Sequence, residues 1–499
     1  MSDTTATASV EQVPCGRLEY KHPPQLNLDV LLHIMGYLKN RLDILRLMKT
    51  CRILYTHGFS LLLQNPVRIW GNKELFSFRD FMISDPSHQK TGVRSRYRYL
   101  HSLEFHYAIK IDDESTSAIT EILASATNLE ELKLDDDTMF KKSPEAFQAF
   151  LGLPQLRSFD ISNGHQKTVD WVGATMAPIS ELDLGLWDCD EVDIFPHLAN
   201  VSGTLRELTV TASQPPTIDV RFPRLKRLSF YTRESFPAAV LISAFPCLKR
   251  LEFAMHNKSH PEFSEMDDNE MRQQHEQNKA ELASKGLSLY PLKYLKAQPN
   301  DLYLSAFLPQ ADTYDVAIEY LDEQNEDMLF RVLPFVQPSR LVIPVVTHDD
   351  ETVTFPMLKR IIVGASTLSS LKLLELVIDI SFFRKRAANQ LMQSFVDVVE
   401  LRQCSIEHLK ITFRGVEQIL KDGKDLEYID QCHDRFTRTV AECTIQAPGV
   451  KRLTFNISTL FKSWKFHWDL QELREGLAQF EKSHENDGRT VTAGGGNST

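Results

Sequence analysis

Apolar and polar positions alternate along the chain in one short pattern that recurs from Leu100 onward. The pattern is an aliphatic residue, two further residues, an apolar residue, one residue and a last apolar residue. Each copy predicts a short β-strand, because strand side chains point alternately to two faces and the apolar ones would share one face. The copies are LEELKL (129–134), LRSFDI (156–161), ISELDL (179–184), LRELTV (205–210), LKRLSF (225–230), LKRLEF (248–253), LKLLEL (371–376), IEHLKI (406–411) and VKRLTF (450–455).

The spacing of the copies predicts how the strands are arranged. In the first six copies the second apolar position falls at 132, 159, 182, 208, 228 and 251, at intervals of 20 to 27 residues. This is the period of leucine-rich repeats, in which a strand and its return segment bury their apolar face only by stacking on neighbours. Ser143 before Pro144 predicts a return helix, and another is predicted at 384–403. We therefore expect an α/β fold: an irregular solenoid, a horseshoe of strands with helical returns.

Residues 26–55 have a denser apolar pattern, typical of short helices. Asn27 and Asp43 predict two helix starts, because an Asx side chain can accept bonds from the first free backbone N–H groups. Hydrophobic staples before these caps would pair Leu26 with Leu31 and Leu42 with Leu47. The apolar residues exceed what one buried stripe requires, so we expect a second surface to cover the rest.

Polar stretches predict the domain limits. Residues 1–22 and 484–499 have too few apolar residues to fold, so we expect disordered tails there. Between them the sequence predicts a small all-helical domain at 23–70, a linker at 71–96 and a strand-rich domain at 97–470. Residues 256–286 are polar almost throughout and predict an exposed insertion, or a solvated helix, whose deletion would leave the fold intact.

The charge and composition weigh against several classes of function. A formal charge of -11 argues against nucleic-acid binding, which needs clustered Lys and Arg. The Arg- and Tyr-rich segment at 94–99 fits a lead-in to the first strand better than a surface for single-stranded nucleic acid. No apolar run approaches the roughly 20 residues of a membrane helix, and no secretory signal is recognisable. We therefore expect no membrane contact and a cytoplasmic or nuclear location.

No combination of residues predicts catalysis or a metal site. The seven cysteines are scattered and spell neither a zinc knuckle nor a redox pair. His256 and His260 have the spacing of helical metal ligands, but no third ligand follows at a fixed spacing. The sequence has no phosphate-binding loop, nucleophile elbow or zinc-protease helix. We expect no enzymatic activity, no metal and no cofactor.

A fixed order of residue types runs through the N-terminal helices: a leucine, an acidic residue, two aliphatic residues, an isoleucine, a leucine, an aspartate, two further leucines and a Cys-Arg pair. The residues in this order are Leu26, Asp29, Val30, Leu31, Ile34, Leu38, Asp43, Leu45, Leu47, Cys51 and Arg52. The order resembles the F-box, although Asn27 stands where that family has proline. The later part resembles the leucine-rich repeats of fungal F-box proteins. Regular repeats there have Asn or Cys at the positions occupied here by Asp137, Gly164, Trp187, Ser213 and Arg233.

The resemblance implies a substrate-recognition subunit of an SCF-type ubiquitin ligase. The F-box would bind a Skp-type adaptor and through it a cullin, and the repeats would hold an unidentified protein target. The adaptor-binding residues would be Leu26, Leu28, Asp29, Leu31, Ile34, Leu38, Asp43, Leu45, Cys51 and Arg52. The alternative is a leucine-rich-repeat interaction scaffold not linked to ubiquitin, whose N-terminal helices only cap the repeats.

Strand residues that alternate with the apolar ones would form the concave surface that faces a target. Up to residue 207 the charged ones are mostly acidic: Glu131, Lys133, Asp135, Asp160, Glu181, Asp183 and Glu207. Thereafter they are mostly basic: Arg227, Arg250, Glu252, Lys296, Glu375, Lys410 and Arg452. We expect the basic ones to bind an acidic or phosphorylated segment, with Tyr231 as an aromatic anchor. The alternative is that these solvated positions carry charge without function.

Overall fold

The architecture is mixed α/β and is organised around one long sheet that does not close into a barrel. The computed structural model describes residues 27–38, 40–83, 96–106, 108–186, 194–211, 219–232, 238–255, 268–286, 292–306, 315–318, 323–346, 351–379, 406–414, 449–458, 463–476 and 478–479. The tails predicted at 1–22 and 484–499, the return helix predicted at 384–403, and Leu26 and Trp187 lie outside the described residues.

Three helices precede the sheet: α1 (Leu28–Tyr37), α2 (Arg41–Met48) and α3 (Arg52–Gln64). The first begins where predicted, because the Asn27 side chain accepts a hydrogen bond from the backbone N–H of Asp29. Gly58 lets α3 approach α2 closely, since a Cβ at this position would collide with Met48. The helices share a small core lined by Met35, Ile44, Met48, Leu54, Phe59 and Leu62.

The start of α2 differs from the prediction. The helix begins at Arg41, and the side chain of Asn40 rather than Asp43 accepts the capping bond from Leu42 N–H. Asp43 lies in the first turn, where its carboxylate pairs with Arg46 at 2.8 Å. The predicted cap is wrong because Asn40, a second Asx residue, ends the preceding loop earlier. Leu42 consequently lies inside the helix and is exposed, so the staple predicted for it is also absent.

The described residues form a sheet of fifteen strands in the order of the sequence, and all pairs are parallel except the last. The strands are β1 (Val67–Ile69), β2 (Ser102–Phe105), β3 (Glu131–Asp136), β4 (Ser158–Gly164), β5 (Glu181–Leu186), β6 (Glu207–Thr211), β7 (Arg227–Thr232), β8 (Arg250–Met255), β9 (Tyr294–Ala297), β10 (Asp315–Ile318), β11 (Arg340–Val346), β12 (Leu373–Asp379), β13 (His408–Arg414), β14 (Arg452–Ser458) and β15 (Ser463–Asp469). Each strand therefore pairs only with the strands before and after it in the chain.

The register confirms the periodicity of the sequence. The predicted second apolar positions stand opposite one another in a single row: Leu132, Phe159, Leu182, Leu208, Leu228 and Leu251, continued by Leu341, Leu374, Leu409 and Leu453. All of these side chains are buried in one continuous core. Each such burial contributes on the order of 1.5 to 3 kcal/mol, so the row is a main source of the stability of the sheet.

Helices cover the core side of the sheet. They are α4 (Asn72–Ile83), α5 (Asp113–Ser125), α6 (Thr138–Lys142), α7 (Pro144–Leu151), α8 (Gln166–Ala174), α9 (Ala238–Ala244), α10 (Asp268–Ser284), α11 (Pro299–Leu304), α12 (Glu323–Val336) and α13 (Glu351–Ser366). Short 3-10 turns occupy 96–99 and 196–198. The start of α7 is as predicted, because the Ser143 hydroxyl accepts a bond from Ala146 N–H and Pro144 takes the first helical position.

Asp137 replaces the Asn or Cys of regular repeats with a fully buried carboxylate. This carboxylate accepts hydrogen bonds from the Thr168 hydroxyl at 2.8 Å and from His165 N–H at 3.2 Å. It also pairs with the ammonium of Lys141 at 3.0 Å. Asp137 therefore joins the loop after β3 to the start of α8, which lies after β4. A buried charge of this kind is tolerated because every nearby donor points at it.

The predicted start of the strand-rich domain is too late. β1 belongs to the sheet, and α4 occupies much of the segment predicted as a linker at 71–96. The sheet thus begins at Val67 rather than after residue 96. β1 has only three residues, too few for an alternating pattern to be recognised in the sequence.

The prediction of an exposed insertion at 256–286 is wrong for one face of α10. His275 and Asn278 are buried, although both are polar. The Asn278 amide donates to the carbonyl of Leu304 at 2.6 Å, and His275 Nδ1 lies 2.7 Å from the carbonyl of Tyr303. The Asn278 amide thus satisfies the Leu304 carbonyl at the end of α11, while the Tyr303 carbonyl also accepts a bond from the backbone N–H of Ala306. A polar composition alone does not reveal such pairing.

Candidate interaction surfaces

The N-terminal helices expose several large apolar side chains, which together we call the helical patch. Its members leave 38 to 74% of their surface accessible, as large apolar residues of a folded core do not. Such patches mark sites of protein interaction. The members are Val30, Ile34, Tyr37, Leu42, Leu45, Ile53 and Tyr55.

The residues predicted to bind an adaptor lie on or beside this patch. None of the described ones is buried: Asp29, Ile34, Leu45, Cys51 and Arg52 are exposed, whereas Leu28, Leu31, Leu38 and Asp43 are half-buried. The three half-buried leucines pack on the small core of α1–α3. The sequence pattern does not show that Tyr37, Leu42, Ile53 and Tyr55 are exposed. The feature that could have indicated it is the number of apolar residues in 26–55, which exceeds what one buried stripe requires.

The sheet surface opposite the core carries the strand residues that alternate with the buried ones, and we call it the open face. Its charge changes sign along the sheet. In β1–β6 the charged residues are Glu104, Glu131, Asp135, Asp160, Glu181, Asp183 and Glu207 against Arg68 and Lys133. In β7–β15 they are Arg227, Arg250, Lys296, Arg340, Lys410, Arg414, Arg452 and Lys465 against Glu252, Asp315, Glu375, Asp379 and Asp469.

Carboxylates of the same face partner the cations that were predicted to bind a target. Arg227 pairs with Glu207 across β6 and β7 at 3.0 Å. Arg250 pairs with Glu252 at 2.7 Å, and the guanidinium of Arg250 lies 4.1 Å from the ring centre of Tyr294. The region of β6–β9, where the charge of the open face changes sign, therefore has less unpaired positive charge than the sequence predicts. Tyr231 lies half-buried on β7, next to this region.

Farther along the face, Glu375 lies between two cations. Arg340 reaches its carboxylate at 3.1 Å, and Lys410 contacts the other oxygen. Burial alone would raise the pKa of Glu375, but the hydrogen bonds from Lys410 and Arg340 outweigh it and lower the pKa. Lys296 lies 3.9 Å from Glu252, at the limit of an ion pair. Lys410 and Lys296 are thus also partnered.

Carboxylates crowd one another in the acidic part of the open face. Asp160 and Asp183 stand opposite each other on β4 and β5. Desolvation and the charge of Asp160 raise the pKa of Asp183 to about 6, against the opposing effect of Lys133. Lys133 lies 3.4 Å from Glu131 and 3.6 Å from Asp160, so one ammonium serves several carboxylates.

An aromatic pair stands at the β1 end of the face. The rings of Trp70 and His106 are stacked with centres 3.6 Å apart and planes 4° apart. His106 Nε2 lies 2.9 Å from Glu104, and His106 Nδ1 lies 3.4 Å from Asp135. The sequence does not predict that Trp70 lies on the sheet, because the predicted helical domain ends at this residue and a linker is predicted after it. The pair lies at the end of the acidic part of the open face, and the indole of Trp70 is half-exposed there.

Two histidines share one hydroxyl at the β15 end. His408 Nε2 lies 3.0 Å from the Thr454 oxygen, and His467 Nδ1 lies 2.8 Å from the same atom. Thr454 is buried beneath the two rings, while His467 is exposed. The sequence does not predict this contact, because the three residues come from three strands. Only the register brings them together.

Other kinds of site were sought in the same residues. Across the described ranges, no three His, Cys, Asp or Glu side chains are grouped as metal ligands, and His256 and His260 lie outside these ranges. None of the helices that the structure describes has the length and apolar character needed to cross a bilayer. No known protein-family model matches the chain, and no curated protein matches it significantly.

Proposed function

We propose that the chain is a substrate-recognition subunit of an SCF-type ubiquitin ligase, active in the cytoplasm or nucleus. In this proposal α1–α3 form an F-box that binds a Skp-type adaptor, which in turn binds a cullin. The sheet acts as an irregular leucine-rich-repeat solenoid whose open face holds a protein target. The ligase supplies the chemistry, and this chain supplies proximity between target and enzyme.

The helical patch is the observation that carries the proposal. Ile34 on α1 and Leu45 on α2 occupy positions of the F-box pattern, and both are exposed although they are large and apolar. Covering each of them with a partner would contribute about 1.5 to 3 kcal/mol before ordering costs are subtracted. A partner that covers the patch accounts for apolar residues that the small core leaves unused.

The test is a double substitution, Ile34→Ala with Leu45→Ala. We expect adaptor binding to weaken at least about tenfold, because about 1.4 kcal/mol of lost binding energy suffices for that factor. The thermal unfolding midpoint should stay unchanged, since neither side chain belongs to the core. Binding would be measured by calorimetry with purified Skp-type adaptor.

Met176→Ala is the matched control, because Met176 is 88% exposed but lies in the sheet region. It should bind the adaptor as the unmodified chain does. Adaptor binding that survives the double substitution, or is absent from the unmodified chain, would contradict the proposal.

One contact favours the alternative, an interaction scaffold whose helices cap the sheet. The guanidinium of Arg96 lies 3.9 Å from the ring centre of Phe59 in α3 and 4.7 Å from that of Phe81 in α4. Phe81 itself packs against both cores. The two functions are separated by the same experiment, because a scaffold not linked to ubiquitin would bind the adaptor neither before nor after the double substitution.

A further inference from the structure

The open face of β13–β15 gathers hydrogen-bond donors and positive charge in a small area, which we call the β13–β15 patch. Register places its residues in rows across the three strands, at the strand spacing of about 4.8 Å. The rows are His408, Arg452 and Asp469; Lys410, Thr454 and His467; Thr412, Asn456 and Lys465; and Arg414 with Ser458. Asp469 is the one carboxylate among these named residues.

Two of the cations in this patch are not neutralised. Lys410 is held by Glu375, and Arg452 lies 3.7 Å from Asp469. Arg414 and Lys465 are exposed, and within the described part of the chain no ion pair joins either of them to a carboxylate, although Asp379 of β12 stands opposite Arg414. The patch therefore has excess positive charge, whereas Arg227 and Arg250, which lie earlier on the open face, are each paired with a carboxylate.

The amide of Asn456 adds polar capacity between these cations. Its Nδ2 donates to the Thr412 hydroxyl at 3.2 Å, while Oδ1 is buried and has no hydrogen-bond partner among the described residues. A rotation of the amide by half a turn would let Oδ1 accept from Thr412 and would place the N–H donors at that buried position.

The shared hydroxyl restricts which protonation states of the two rings keep both hydrogen bonds. The Thr454 hydroxyl has one hydrogen, so it donates to one imidazole and accepts from the other. Its donation requires a neutral imidazole at that position, so the array is complete only while at least one ring is uncharged. Burial, His467, Arg452 and Lys410 also lower the pKa of His408, against a smaller effect of Glu375. In the absence of a ligand, the surroundings of His408 therefore disfavour its protonation.

We infer that the β13–β15 patch binds a phosphate monoester on the target and takes up a proton from solvent as it binds. This inference rests on the proposed function, whose target it describes chemically. The phosphate would receive charge-assisted bonds from Lys465 and Arg414, and the protonated imidazole would donate a further one. One proton is transferred from a solvent hydronium ion to an imidazole nitrogen, so that an O–H bond breaks and an N–H bond forms; no bond of the phosphate ester changes, and the dianion offsets the added positive charge.

The charge distribution favours a single phosphate over a polyanion. The patch lies at the end of the sheet, and seven carboxylates occupy the open face of β1–β6. A nucleic acid long enough to follow the face would meet these carboxylates and be repelled. A phosphoserine or phosphothreonine carries about two charges on three oxygens, which matches a patch of this size.

The test follows the histidines directly. Imidazole C–H signals of the full-length protein, labelled with ¹³C-histidine, would be assigned with His408→Gln and His467→Gln. The probe is a capped Gly-phosphoserine-Gly peptide, compared with the same peptide unphosphorylated and with glutamate in place of phosphoserine. We expect only the phosphopeptide to shift both signals and to raise the pKa of at least one histidine by about 1, as a nearby opposite charge does.

Two lysines of the open face provide the matched comparison. Lys465→Gln should weaken phosphopeptide binding about tenfold, as expected for one hydrogen bond to a charged group. Lys133→Gln, on the acidic part, should leave it unchanged. The inference is overturned if neither histidine responds, if the glutamate peptide acts equally, or if single-stranded oligonucleotide binds the same histidines more tightly. No adaptor is present in this titration, so its failure is distinguishable from failure of the F-box proposal.

Discussion

At the scale of single residues, neighbouring charges decide whether a carboxylate of the open face stabilises the fold. Glu375 has two cations within reach, whereas Asp183 has Asp160 opposite it. The pKa of Asp183 is consequently raised to about 6 from an ordinary 3.8. The folded protein therefore keeps this proton to a higher pH than the unfolded chain. Folding takes up a proton between these values, and the free energy of unfolding falls as the pH rises through them.

Asp183→Asn should stabilise the protein above about pH 6 and have no effect below about pH 4, where Asp183 is protonated in both states. The gain should be at most about 1 kcal/mol, because Asp183 is exposed as a whole residue, so that water screens its charge even though neighbouring groups partly desolvate the carboxylate. Urea unfolding of both proteins across this pH range measures the difference. Glu181→Gln, on the same strand, is the control and should show a smaller gain. A difference that is independent of pH would contradict this account.

Residues that act through near neighbours in the sequence could be predicted, and residues brought together by strand pairing could not. Asn27 and Ser143 cap helices by bonding two or three residues ahead, so local spacing reveals them. The error at Asp43 has the same local origin, since two Asx residues compete for one helix start. His408, Thr454 and His467 belong to three strands whose loops vary in length, so spacing says nothing about their contact.

At the scale of elements, α10 shows how polar side chains can fix one helix to another. Its His275 and Asn278 bond the last carbonyls of α11, and the His275 ring stacks on Tyr303 with centres 4.4 Å apart. The sequence suggests a solvated segment because the helix has little apolar surface. Strands with the full leucine pattern were predicted, whereas the short β1 and β10 were not. Their few residues give too little periodicity.

Asn278→Ala should lower the free energy of unfolding by about 1 to 3 kcal/mol, because the Leu304 carbonyl loses its buried partner. Thermal or chemical denaturation gives the value. Lys279→Ala changes the next residue, which is exposed, and should have almost no effect. Equal effects of the two substitutions would mean that α10 is held only by its backbone.

At the scale of the whole molecule, two cores meet at Arg96. The core of α1–α3 and the core of the sheet are distinct, and Phe81 packs against both. Arg96 stacks on Phe59 and Phe81 and donates a hydrogen bond to the carbonyl of Phe81. It is buried, so its guanidinium is desolvated against the two rings. Arg96 thus helps to fix the orientation of α1–α3 relative to the sheet, together with Phe81 and with Leu63 of α3, which packs in the core of the sheet.

Arg96→Ala should speed amide hydrogen exchange in α1–α3 and leave the strands β3–β6 protected. The expected loss of local stability is about 2 kcal/mol, the value of a desolvated cation–π contact. Exchange followed by mass spectrometry resolves the two regions. Arg98→Ala is the control, since Arg98 stacks on Tyr99 within its own turn. Uniform acceleration throughout the chain would show that the two cores unfold as one.

The order of the strands has a consequence for how the chain is made. Each strand that the structure describes after β1 pairs with the described strand synthesised just before it, so these strands do not wait for a distant segment. At roughly 5 to 20 residues per second, a ribosome releases a new strand every few seconds, onto an edge that is already formed. Nascent chains should thus gain structure step by step from the N-terminus. β15, which runs against its neighbour, is released last and ends the growing edge.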